Sequence, residues 1–419
     1  MPSLAIKDNI LLFAATGRWA KDLPGSGNEV LMLTYDIDAN VWEFPVYEEG
    51  YAAANAPGGA AIDTDLYAYA NWKADQVGSV FNEVYTNWGI GVWVYDTNTE
   101  TTNYTYFADS ATEMFMANKI AVMAGPPGVV AIAYHDDTAP NPQLLVRVSL
   151  DYGVTWTLRK TVAPNVARKD FSLVIDQATG YIFLAHQVST SNVMIERSID
   201  NGVVWTTRYA SNFMIADMLR IKLVSDTSKL FLFASSETAG AIEHSANEGT
   251  SWSTITGEPA ATTIASAAGV NDDHSDITVA EAAGPMYNYI WDDVGGLYQW
   301  LTRDTHGLAV GGGDASLAGY GGRFAYSNFN FHKEPDPFII VLVSRDMGVT
   351  WDVRETPLNH YEDGEFTDFK GCPLFCITDV PYLNHIWTFE KGNWAEQCGF
   401  VKQKDKYVSV TKCSCVKCK

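Results

Sequence analysis

Ser149-Leu150-Asp151-Tyr152-Gly153-Val154-Thr155-Trp156 is the stretch that decides how this chain folds. A carboxylate at the third position can accept backbone N–H groups across a tight turn. Glycine at the fifth supplies the positive φ that such a turn needs. The serine hydroxyl satisfies a further turn group. The tryptophan opens the outgoing strand with a ring large enough to fill the space between two sheets. The stretch therefore reads as a locked β-hairpin.

The pattern recurs as Ser198-Ile-Asp200-Asn-Gly202-Val-Val-Trp205, as Ser245-Ala-Asn247-Glu-Gly249-Thr-Ser-Trp252 and as Ser344-Arg-Asp346-Met-Gly348-Val-Thr350-Trp351. The spacings are 49, 47 and 99 residues, the last close to twice the others. A degenerate copy is expected near the midpoint, at Asp292-Asp-Val-Gly295 with Trp300. Upstream, Tyr35-Asp36-Ile-Asp38-Ala-Asn40-Val-Trp42 and Tyr95-Asp96-Thr-Asn98 read as decayed members. Seven turns at roughly 50-residue intervals give a propeller-like period. Three apolar runs precede each clear turn, for example Ile120–Ala124, Val129–Tyr134 and Leu144–Val148 before Asp151. With the tryptophan strand they make a four-stranded blade. The first blade shows only Ile10–Ala15, Glu29–Tyr35 and Val41–Val46, so Leu374–Thr378 is expected to supply its fourth strand and close the ring.

The fold expected is all-β: a seven-bladed β-propeller of antiparallel four-stranded blades over residues 1–380, with a Cys- and Lys-rich extension over 381–419. Six blades is the alternative if one N-terminal copy is spurious. Composition agrees, with 47% hydrophobic and 13% aromatic residues in short runs broken by Gly, Asn and Asp.

The four clear turns resemble the Asp-box (bacterial neuraminidase repeat) propeller superfamily. That superfamily includes sialidases, other glycosidases, sorting receptors and assembly factors. The resemblance implies that the turn residues, Asp151, Asp200 and Asp346 among them, are structural and lie on the rim away from the ligand face. Sialidases of the family use three arginines for the substrate carboxylate, the first in an R-I-P motif. That motif is absent, and Arg18 stands in Thr16-Gly-Arg18-Trp19 instead. Of eleven arginines, Arg147, Arg159, Arg197, Arg208, Arg345 and Arg354 follow the repeat register, which predicts packing and pairing between blades. Arg18, Arg168, Arg220, Arg303 and Arg323 remain as candidates for a catalytic carboxylate clamp.

Net charge is −22, which disfavours nucleic-acid partners. Residues 372–419 hold seven Lys against four acids, leaving −25 on the rest. Such a tail is suited to dock on an acidic neighbour, a second copy included, which would make the extension a route to a homo-oligomer. No stretch approaches the ~20 apolar residues of a membrane span. Met1–Ala15 (MPSLAIKDNILLFAA) reads as a first strand rather than a secretory leader. The expected location is accordingly a virion assembled in a host cytoplasm, or the cytoplasm itself.

All six cysteines lie late: Cys372, Cys376, Cys398, Cys413, Cys415 and Cys418. Disulfides, a zinc site and free thiols all remain open; in the first two cases the role is to staple a short tail. His135-Asp136-Asp137 and Asp272-Asp273-His274-Ser-Asp276 have cation-ligating groups but sit in polar, loop-like stretches. Gly307–Gly322 lacks the Lys-Ser/Thr of a phosphate-binding loop and reads as a connection between blades. Tyr69-Ala-Asn71-Trp72, Tyr85-Thr-Asn87-Trp88 and Asn328-Phe-Asn330-Phe331 set aromatic planes beside amides, a pairing suited to sugars and equally to filling space between blades.

The function expected is a non-enzymatic binding or structural propeller. The specific expectation is a virion component, such as part of a bacteriophage tail, that binds neighbouring subunits or a host surface glycan. The alternatives are a sialidase-like hydrolase or polysaccharide depolymerase, and an intracellular assembly factor.

Overall fold

The computed structural model describes residues 3–17, 28–52, 59–77, 84–107, 120–125, 127–136, 143–162, 170–176, 178–188, 192–212, 220–226, 229–235, 240–255, 267–270, 277–280, 286–292, 297–303, 316–327, 338–346, 348–359, 387–388, 400–403 and 406–409. Strands follow one another in fours. The first quartet is β1 (Ser3–Lys7), β2 (Ile10–Gly17), β3 (Asn28–Asp36) and β4 (Val41–Ala52). The second is β5 (Gly59–Asp63), β6 (Leu66–Val77), β7 (Val84–Asp96) and β8 (Thr101–Phe107). The third is β9 (Ile120–Gly125), β10 (Val129–Asp136), β11 (Gln143–Ser149) and β12 (Thr157–Val162). The fourth is β13 (Phe171–Ile175), β14 (Ile182–Gln187), β15 (Asn192–Ser198) and β16 (Thr206–Asn212). The fifth is β17 (Arg220–Asp226), β18 (Lys229–Ser235), β19 (Gly240–Ser245) and β20 (Ser253–Thr254). Then come β21 (Ala267–Val270), β22 (Ile277–Ala280), β23 (Met286–Asp292) and β24 (Leu297–Arg303). The last quartet is β25 (Ser316–Tyr320), β26 (Arg323–Ser327), β27 (Phe338–Ser344) and β28 (Asp352–Asn359).

Within each quartet the pairings are antiparallel between consecutive strands, so each quartet is a meander. First strands contact one another in succession, β1 with β5, β5 with β9, β9 with β13, and on through β25 back to β1. They therefore surround an axis, and fourth strands lie at the rim. This is a β-propeller of four-stranded antiparallel blades. The blade count is a correction to the seven expected: among the described residues there are six blades, one sheet of nine strands and five of four, besides a separate two-stranded sheet. The cause differs from the one anticipated, since neither N-terminal turn is spurious. The first two quartets share a sheet because β4 and β6 run 12 residues each and meet in one pair, Ala52 with Lys73.

The first quartet is also complete without help from the C-terminus. Its fourth strand is β1, which pairs Ser3 with Ala14 and Lys7 with Ile10. Asp8-Asn9 is the hairpin turn, with Asp8 at φ 52°, so two strands lie where a single strand was expected. Leu374–Thr378 lies outside the described residues. A later segment, β29 (Trp387–Thr388), instead adds to the outer edge of β4. β30 (Phe400–Gln403) and β31 (Lys406–Ser409) form a separate hairpin.

Closure rests on packing. Leu4, Ile6, Leu11, Phe13, Leu33, Tyr35 and Trp42 of the first quartet share one buried cluster with Ala325, Val341 and Val343 of the last. The backbone N–H of Leu4 adds a bond to Ser316 Oγ at 2.9 Å. Each large apolar side chain buried contributes about 1.5–3 kcal/mol, against roughly 1 kcal/mol for a hydrogen bond, so the apolar seam dominates.

Candidate functional site

Antiparallel meandering gives the molecule two unlike faces. The first and third hairpins of every quartet turn at one end of the strands. The second hairpin and the link to the next quartet lie at the other. On the first face connections are short: two residues between β1 and β2, four between β3 and β4, seven between β11 and β12. On the second face ten residues separate β2 from β3, twelve separate β8 from β9, and ten separate β26 from β27. These are the turn face and the long-connection face.

The turn face is spent on its own hydrogen bonds. Ser149 Oγ accepts from the N–H of Gly153 at 2.9 Å and donates to Asp151 Oδ1 at 2.8 Å. Asp151 Oδ1 accepts the N–H of Thr155 at 2.8 Å, and Oδ2 accepts its hydroxyl at 2.6 Å. Trp156 Nε1 donates back to the carbonyl of Gly153 at 2.9 Å. The serine, backbone N–H and indole bonds recur at Ser198, Asp200, Gly202 and Trp205, at Ser245, Asn247, Gly249 and Trp252, and at Ser344, Asp346, Gly348 and Trp351, and the hydroxyl bond recurs at Thr350. Gly153, Gly202, Gly249 and Gly348 sit at φ between 77° and 84°. Burial would raise the Asp151 and Asp346 carboxyls, but the hydrogen bonds from Thr155 and Thr350 outweigh it and hold both below the ordinary range. The N–H of Val204 does the same for Asp200. These carboxylates are ionised acceptors engaged by their own turns, Asp151 and Asp346 through both oxygens, a poor arrangement for acid–base chemistry.

The tryptophans occupy equivalent places. Trp156 meets Phe107 edge-on at 5.6 Å, Trp205 lies under Lys160 Nζ at 5.3 Å, and Trp252 stacks on Tyr209 at 5.1 Å. Each contact reaches the preceding quartet. The decayed turns use a shorter lock. Asp36 Oδ1 accepts the N–H of Ala39, and Asp96 accepts those of Asn98 and Thr99. Asn40 and Glu100 take the positive φ there, at 60° and 54°. Asp292 ends β23 where the degenerate copy was expected; Asp293–Gly295 lie outside the described residues.

The register arginines bridge blades. Arg147 Nε donates to Tyr134 Oη at 2.7 Å within its own quartet, and its guanidinium lies 4.8 Å from the Phe107 ring of the one before. Arg197 pairs with Glu248, and Arg354 Nε donates to Tyr35 Oη at 2.8 Å across the closing seam. Arg345 Nε donates to the carbonyl of Ile37 at 2.6 Å. The Cβ atoms of Arg159 and Arg208 support the next turns at Gly202 and Gly249.

Of the remaining arginines, one is placed apart from two others. Arg323 opens β26 on the turn face and forms an ion pair with Asp38 at 2.6 Å. Arg220 opens β17 and Arg303 closes β24, both strand ends at the long-connection face. Arg18 and Arg168 lie outside the described residues. The clamp therefore cannot draw on Arg323 together with Arg220 and Arg303, since they lie on opposite faces. Cys372, Cys376, Cys398, Cys413, Cys415 and Cys418 lie outside the described residues, as do Asp137, Asp272, Asp273, His274 and Asp276. Among the described residues there is no cluster of three metal-ligating side chains.

Two expected loops are strand. His135 and Asp136 end β10, and His135 is buried with its ring edge-on to Phe171 at 5.0 Å. Ser316–Gly322, the end of the glycine-rich run, is β25 plus a tight turn with Gly321 and Gly322 at φ 53° and 78°. Tyr69 and Asn71 are core: Asn71 Nδ2 donates to Tyr69 Oη at 2.8 Å, and Tyr69 stacks against Trp93. Trp72, Tyr85, Asn87 and Trp88 lie instead on the part of β6 and β7 that runs toward the long-connection face. Asn328–Phe331 falls outside the described residues.

One polar cluster escaped the sequence reading. Glu196 accepts from Lys160 Nζ at 2.8 Å and lies 3.1 Å from His186 Nε2, between the third and fourth quartets. Burial would raise its carboxyl, yet those two partners hold it below the usual range. A signal was present: Glu196 stands two residues before a box serine, and His186 lies one repeat beyond His135. The cluster is a strut between blades, with His186 buried and Lys160 and Glu196 half-buried.

Neither a protein-family model nor a curated protein matches the chain. Among solved structures it is similar to the K499G mutant of NanB sialidase from Streptococcus pneumoniae, with TM-score 0.41 and 10% identity over 86% of this chain and 67% of that one. It is also similar to an Aleuria aurantia lectin mutant in complex with alpha-methyl-L-fucoside, with TM-score 0.41 and 12% identity over 75% and 96%. A third is an alpha-L-arabinanase of Penicillium chrysogenum, with TM-score 0.41 and 13% identity over 58% and 82%. Likeness at this level assigns no chemistry to the chain.

Proposed function

We propose that the protein is a non-enzymatic propeller that binds glycan on its long-connection face. The difference between the two faces carries this reading. The turn face uses its carboxylates and arginines internally. The other face is where the β6–β7 hairpin, 12 and 13 residues per strand, extends beyond its neighbours. Trp72, Tyr85, Asn87 and Trp88 belong to those two strands, and indole, phenol and amide are side-chain types suited to the C–H face and hydroxyls of a sugar ring. Arg323, on the turn face, takes no part with Arg220 and Arg303 in any carboxylate clamp. The virion and assembly-factor readings rest on no feature of the fold.

The test is a glycan array probed with the full chain, followed by titration of the best ligand. Trp88→Ala is expected to weaken binding at least tenfold. Leu158→Ala, near the turn face, is expected to leave it unchanged. An array without any ligand, or equal losses in both variants, ends the proposal.

A further inference from the structure

Six branched aliphatic side chains stand 46–61% exposed on two neighbouring quartets: Leu150, Val154 and Leu158 on the third, Ile199, Val203 and Val204 on the fourth. They form one patch, because the Gly202 turn rests directly on the Arg159 side chain of β12. The turn itself does not demand them. The equivalent positions of the fifth quartet hold Ala246, Thr250 and Ser251. Contiguous apolar surface of this kind marks a contact surface. Two carboxylates stand beside it, Asp151 and Asp200, both held ionised by their turn bonds.

The chain carries a segment of opposite character. Residues 400–419 hold six Lys and one acid. Within them β30 and β31 pair as a hairpin, with Val401 opposite Val408 and Lys402 opposite Tyr407. The C-terminal region also adds to a blade edge elsewhere in the molecule, where β29 lines the outer edge of β4. That pairing holds the start of the tail on the first quartet, two quartets from the patch, and the occupant inferred for the patch is the tail of a second copy. We propose that the aliphatic patch of the third and fourth quartets receives the Lys-rich hairpin Phe400–Ser409 of another molecule of this chain. Apolar burial supplies the adhesion, and attraction between a basic tail and an acidic body overcomes the repulsion between two bodies of −25 each. The contact is head-to-tail, so association is open-ended unless a ring closes.

Light scattering on the full chain, in reducing buffer so that cysteine cross-links do not contribute, reads this directly. The wild type is expected to exceed the monomer mass of 46.1 kDa as concentration rises, and to revert in high salt. A patch variant (Ile199→Ser, Val203→Ser, Val204→Ser) and a tail variant (Lys402→Glu, Lys404→Glu, Lys406→Glu) are each expected to stay monomeric with unchanged circular dichroism. Mixed, they are expected to form a 1:1 dimer and nothing larger, because only one productive contact remains. Both are expected to retain glycan binding, which separates this proposal from the preceding one. A wild type that is monomeric at every concentration, variants that still associate, or a mixture that does not recombine overturns it.

Discussion

Asn247 shows what the third position of each turn requires. Its Oδ1 accepts the N–H of Ser251 at 2.9 Å, as Asp346 Oδ1 accepts that of Thr350 at 2.8 Å. Its amide donates to Ser251 Oγ, whereas Asp346 Oδ2 accepts from the Thr350 hydroxyl. A hydroxyl rotates to serve either partner. The position therefore needs an acceptor and a branched polar group; it does not need a charge. Asp346→Asn is expected to shift stability by less than about 1 kcal/mol, and Asp346→Ala to cost about 1–3 kcal/mol by stranding the turn donors. Urea titration of both variants checks the order; equal costs would show that the charge itself matters. This lock was legible in the sequence, because every bond in it joins residues at most six apart. Glu196 was not, because its meaning depends on Lys160, which is 36 residues away.

At the level of strands, the sequence showed the third, fourth and fifth quartets well and the first poorly. β9 to β11 and β13 to β15 are apolar runs ending at a full turn motif. β1 and β2 are separated only by a two-residue reversal at Asp8, with no glycine, so they read as one strand. The two long strands that join the first sheets were hidden for another reason. A single backbone pair, Ala52 with Lys73, leaves no mark on side-chain pattern. The closing seam gives a prediction at this scale. Phe13 is fully buried there and meets Trp42 edge-on at 6.3 Å. Phe13→Ala is expected to cost about 3–5 kcal/mol. Arg323→Met removes a pair whose Asp38 side chain is 52% exposed, and is expected to cost less than about 1 kcal/mol. Comparable losses in thermal melts would mean that ion pairing, rather than apolar packing, holds the ring shut.

For the whole molecule, charge sets the response to acid. Asp96, Asp151, Asp200, Asp346 and Glu196 all have carboxyls held below their ordinary values in the folded chain. A depressed folded pKa gives stability that is present above the unfolded value, ~3.9 for Asp and ~4.3 for Glu, and is lost as pH falls through the folded one. Opposing this, a chain of net −22 repels itself less as it approaches its isoelectric point near 4.6. Tm is accordingly expected to rise or hold from pH 7 to about 5 and to drop steeply below about 4. A Tm that falls steadily from pH 7 would place the decisive titration elsewhere. The two faces also explain why the architecture was easier to read than the activity. Staples that repeat leave a periodic trace in one sequence, whereas a binding surface built from unlike loops has no period to find.

The apolar seam has a consequence for how the chain is made. Leu4, Ile6, Leu11 and Phe13 are translated more than 300 residues ahead of their partners Ala325, Val341 and Val343. For most of synthesis the founding hairpin presents a sticky, uncovered flank, while the intermediate blades assemble beside it from local contacts. Circularisation is then the slow last event, with a long interval in which chaperone capture competes with aggregation. A permuted gene that starts at β9 would move that burden to a different pair of blades and leave the finished ring unchanged.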